Sequence, residues 1–121
     1  MDELVDQLVA KAGIDDAVAE KSAGIMLDYL QSEGPPETVQ ALIDGIPGAE
    51  AAIAAARNGS GLSRLMGGGL MAVGTRLMGL GLAITDIQKI ARELFAFGRD
   101  IIGANRMGAI IAGTPGLSHF A

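Results

Sequence analysis

Two octapeptides most constrain what this chain can fold into. ALIDGIPG occupies residues 41–48 and AIIAGTPG residues 109–116, 68 residues apart. Each reads A-[LI]-I-x-G-x-P-G. An apolar helical run meets a glycine able to adopt a left-handed cap, then a proline that cannot resume the helix. The same offset aligns more than the stops. Gly13 meets Gly81, Ala23 meets Ala91, and Met26, Leu27, Tyr29, Val39 and Leu42 meet Leu94, Phe95, Phe97, Met107 and Ile110, without a gap. The pattern predicts one domain of two related helical units, over about 1–57 and 70–121, with a glycine-rich joint at about 58–69.

Between the stops, apolar residues recur at helical spacing. Residues 2–12 read as an amphipathic helix with Leu4 and Leu8 inward and Gly13 at its end. Asp15 or Asp16 is placed to cap a second helix reaching about Ser32. Its inward face is Ala19, Ala23, Met26 and Leu30, with Tyr29 alongside. Gly34-Pro35-Pro36 breaks it, and a third helix is expected over 36–44, then a short alanine-rich one over 49–57. By the 68-residue alignment, Leu70–Leu80 takes the place of the first helix. Thr85-Asp86-Ile87-Gln88 matches a capping box opening a long helix to about Ile102. Ile87, Ile90, Ala91, Leu94, Gly98 and Ile101 form its apolar stripe, and Gly103 breaks it before a last helix over 105–112. No period-two alternation appears, so the expected fold is all-α, a compact bundle of about six to seven helices.

The twin stops, each after a long helix and a short one, resemble a small bacterial family of unknown function, the VcgC/VcgE-like domain and related uncharacterised helical families. The resemblance covers residues 13–48 and 81–116. It implies an all-α fold and carries no catalytic residues. Members of that family often bear an export signal, whereas this chain looks like a leaderless variant. Its acidic, amphipathic start, MDELVDQL, lacks the basic and then apolar run of a secretory signal, so a cytoplasmic protein is expected.

Composition narrows the chemistry. Half of the residues are hydrophobic, enough for a core at this size, but Tyr29, Phe95, Phe97 and Phe120 are the only aromatics. The core must be aliphatic. There is no cysteine, and the single histidine, His119, has no second soft ligand, so no metal site or cofactor is expected. Asp15, Asp16, Glu20 and Asp28 read as caps or solvated face residues, since nothing in the sequence buries two of them together. Ser60 and Ser63 lack a base, and the adjacency of Ser118 to His119 creates no triad geometry. Gly59-Ser60-Gly61 and Gly67-Gly68-Gly69 lack the preceding strand and the Lys-Ser/Thr pair of a phosphate loop. No enzyme is expected.

Net charge is −5, but residues 1–56 carry two lysines against eleven acids, while residues 57–121 carry seven bases against three acids. The bases are spread along helices without an aromatic platform, which argues against nucleic acid. The two halves are expected to dock on each other or on a second copy.

The stretch Gly59–Thr85 is the least charged part of the chain, with Arg64 and Arg76 alone. Within it Ser63–Leu70 recurs as Thr75–Leu82. Leu65–Ile84 could be imagined crossing a bilayer, but its seven Leu, Ile and Val residues are offset by a central Arg76. Its glycines are expected instead to let helices approach closely. Its exposed apolar residues would form an adhesive surface: Leu65, Met66, Leu70, Met71, Leu77, Met78 and Leu80. The reading is a non-enzymatic, self-associating interaction module. The alternative is a membrane-surface or envelope-associated protein using the same stretch.

Overall fold

The computed structural model describes residues 2–58 and 70–114, with the side chains of Asn58, Leu70, Met71 and Ala72 outside that description. The contact residues Leu65 and Met66 lie outside it, as does the tail carrying Ser118 and His119. The described residues form seven helices and no strand. These are α1 (Asp2–Ala12), α2 (Asp16–Glu33), α3 (Pro36–Asp44), α4 (Ala49–Asn58), α5 (Leu70–Met78), α6 (Ile84–Ile102) and α7 (Ala104–Gly113).

Helix α2 is the axis. Nine consecutive residues, Ser22 to Leu30, are buried, so it is enclosed on every side. The sequence pattern assigned it a single inward stripe. It becomes a central helix because α1, α3, α4, α5 and α6 all pack on it. Enclosure brings Ser22 and Asp28 inside with the apolar residues. Ser22 Oγ donates to the Ala19 carbonyl at 3.0 Å, a bond within its own helix turn.

The first helix of each half lies against the second helix of the other: α1 packs on α6, and α5 on α2. Helices α2 and α6 also meet, as do α3 and α7. The boundaries of α5, α6 and α7 fall 68 residues after those of α1, α2 and α3, to within two residues. Gly13 and Gly81 both take positive φ, +69° and +89°. The pairs Ala19/Ile87, Met26/Leu94, Leu27/Phe95, Val39/Met107 and Leu42/Ile110 are all buried. The halves therefore meet largely through apolar faces, with the Gln7 amide also donating to the Glu93 carboxylate at 2.9 Å.

Three local expectations need correction. Gly45 does not take the left-handed cap: its φ is −79°, and Gly48 supplies the positive φ of +87°. Gly45 is constrained by space, since a Cβ there would collide with Ile101. The opening of α6 is not the Thr85 capping box. Ala83 occupies the cap position, and only the return bond forms, from its backbone N–H to Asp86 Oδ2 at 3.1 Å. Ala83 has no side-chain oxygen to supply the reciprocal bond. Finally, of the glycines expected to let helices approach closely, Gly67, Gly68 and Gly69 lie outside the described residues and Gly74 meets nothing within 4 Å, whereas a Cβ at Gly24 in α2 would lie 2.5 Å from the Ala52 carbonyl oxygen of α4.

Candidate functional site

Two neighbouring features concentrate chemistry, both built around α5. The first is a charge clasp. Asp28, on the enclosed turn of α2, is 4% exposed. Arg57, near the end of α4, donates from Nε to Asp28 Oδ1 at 2.8 Å and from Nη2 to Gln31 Oε1. Arg76 of α5 places Nη1 3.5 Å from Asp28 Oδ2 and donates from Nη2 to the Ala56 carbonyl at 2.7 Å. One carboxylate thus ties three helices together. A buried carboxylate is tolerated only with such partners.

The clasp corrects one expectation. Asp28 is not a solvated face residue, because α4 and α5 close over it. Arg76, the central charge of the apolar stretch, turns inward to Asp28 and Ala56. A sequence signal existed for both: each is a lone charge in an apolar run, and such a charge needs a buried partner. What pairs with what depends on packing.

The second feature is a groove of about 580 Å³ beside the clasp. Its α2 wall presents Glu20, Lys21 and Ile25, its α4 wall Ala52, Ala55 and Ala56, and its end Arg76, Gly79 and Leu80. The groove ends where α5 stops. Gly79 donates to Thr75 at 3.0 Å, and Gly81 donates to Met78 at 2.9 Å with φ +89°. That turn leaves Met78 48% exposed, and Ile84 opens α6 at 59%.

The expected contact residues therefore divide. Met78 is exposed and Leu80 half-buried at the groove. Leu77 is a correction: it is fully buried, because it lies on the α5 face that α2 covers, together with Val73. Leu70 and Met71 lie on the first turn of α5. Ile84, exposed beside the same turn, is not among the expected contact residues, since its spacing assigns it to the start of a helix and says nothing of which side is covered.

Tyr29 lies on the same turns of α2 and is 7% exposed. Burial, with the Glu33 carboxylate adding to it, raises its phenol above the ordinary value. Among the described residues no three His, Cys, Asp or Glu side chains are grouped to hold a metal ion. No described helix is long and apolar enough to cross a membrane. Within Leu65–Ile84, the described part forms a nine-residue helix and a turn, against the roughly 20 residues that spanning requires. Comparison with protein-family models, curated proteins and solved structures finds no match for this chain.

Proposed function

We propose that this chain is a non-enzymatic helical interaction module that self-associates, with the apolar surface at the glycine turn of one copy meeting the α2–α4 groove of a second. The observation that carries this reading is the exposure of Met78 and Ile84. They are the large hydrophobic side chains left exposed among the described residues, and they flank one turn. Apolar surface gathered at one place is the mark of an interaction site.

Charge favours a second copy as the partner. The groove itself holds Glu20 beside Lys21 and Arg76, while α1 of the acidic half carries exposed Asp2, Glu3 and Asp6 and α6 of the basic half carries exposed Lys89 and Arg92. Among the described residues, Asp2, Glu3 and Asp6 of α1 make no ion pair, nor do Lys89 and Arg92. Inside the chain the halves meet through apolar residues, the Asp28–Arg76 pair and the Gln7–Glu93 hydrogen bond, and the exposed charges of α1 and α6 outside these contacts are available to each other across a copy-to-copy contact. The groove's small alanines leave room for a long Met side chain.

Sedimentation velocity on Met78→Lys and Ile84→Lys tests the surface. Each substitution is expected to weaken association by about tenfold or more, the effect of losing one well-placed contact, with helicity by circular dichroism unchanged. Association as tight as that of the parent chain would remove this surface from the proposal. Binding to anionic vesicles by a chain that stays monomeric would replace it with the membrane-surface reading.

A further inference from the structure

Independently of self-association, the geometry points to a ligand site inside the bundle: a pocket for one small apolar group, of the size of a single hydrocarbon ring, between α2, α5 and α6. A cavity of about 50 Å³ lies there, bounded by Met26 and Tyr29 of α2, Gly74 and Leu77 of α5, and Ile87 and Phe95 of α6. Counting about 10–15 Å³ of such space per water-sized sphere and about 30 Å³ of liquid per water, it holds roughly the volume of a benzene ring. Among the described lining residues Tyr29 alone has a polar side-chain group. A water there would lack the two to four partners that hold buried water, so the space suits an apolar occupant.

Gly74 supplies the second observation. It lies in the middle of α5, where glycine costs a helix about 1 kcal/mol relative to alanine. Among the described residues no steric demand explains it: a Cβ at Gly74 would meet none of them within 4 Å, in contrast to Gly24, Gly45 and Gly98, which other atoms crowd. Gly74 both lines the cavity and is half-exposed, so the route from solvent passes over the missing side chain. A larger residue at this position would narrow that mouth.

The test uses the full chain with benzene and xenon as probes. Benzene near its aqueous solubility is expected to raise the Tm by about 2–4 °C, as a ligand of the folded state alone does. Gly74→Leu, with a side chain standing at the mouth, is expected to diminish that response. Methyl NMR under xenon locates the site without any variant, with the largest shifts expected at Met26 and Leu77. No Tm change and no methyl shifts in the parent chain, a benzene response undiminished in a folded Gly74→Leu variant, or xenon shifts centred elsewhere would each overturn the site.

Discussion

Glycine 24 and glycine 74 both sit inside helices, and the same substitution should act on them with opposite sign. At Gly24 an added methyl would press on the Ala52 backbone at 2.5 Å. Overpacking against backbone costs about 1–3 kcal/mol, which exceeds the roughly 1 kcal/mol that alanine contributes to helix propensity. Gly24→Ala is therefore expected to destabilise the fold, and Gly74→Ala, which meets open space, to stabilise it by up to about 1 kcal/mol. Urea unfolding midpoints measure both, and a shared sign would contradict the packing described. Tyr29 offers a second residue-level reading because it is the only tyrosine. Its phenol is raised by burial and by Glu33, so the folded state favours the protonated form. The resulting stability is fully present below the unfolded pKa of about 10 and is lost as pH rises through the higher folded value. Tyrosinate absorbance should show a midpoint above about 10 in the folded chain and return to about 10 in denaturant. A folded midpoint at or below the denatured one would contradict the burial.

At the scale of elements, α2, α4 and α5 depend on one carboxylate. The Asp28 and Arg76 side chains are 5% and 15% exposed, whereas that of Arg57 is 40% exposed. Removing one partner of a buried pair costs about 3–5 kcal/mol, while an exposed pair contributes about 0–1 kcal/mol. Asp28→Ala and Arg76→Ala are expected in the first range and Arg57→Ala near the second, by chemical denaturation. Equal costs for the two arginines would contradict the clasp's asymmetry. Helix existence was legible in the residues because glycine and proline act locally. Pro36 opens α3, Gly13 and Gly103 end helices at positive φ, and Gly81 takes positive φ in the turn after α5. The Asp28–Arg76 pairing was not legible, because it joins positions that become neighbours only when α5 lies on α2. The Gly45 and Ala83 corrections have the same origin. A glycine's φ, or the first residue of a helix, is decided by what packs beside it, here Ile101 for Gly45.

The whole molecule has two halves that exchange helices, α1 onto α6 and α5 onto α2. The 68-residue spacing was visible in the sequence, and helix boundaries fall at it. Which helix of each half crosses to the other was not visible, since apolar stripes state that a face is covered and not by what. The same gap explains the fate of the adhesive stretch. Leu77 carries the same apolar signal as Met78, yet one is fully buried and the other is 48% exposed. Among the described residues the exposed acids of α1 and the exposed Lys89 and Arg92 of α6 make no ion pair, which supports the proposed self-association. The chain's mass in solution is therefore the most direct measurement. Sedimentation equilibrium up to about 100 μM, where contacts of micromolar affinity are populated, is expected to show the mass rise with concentration from 12.3 kDa toward a small multiple of it. A mass that stays at 12.3 kDa throughout that range would contradict the account.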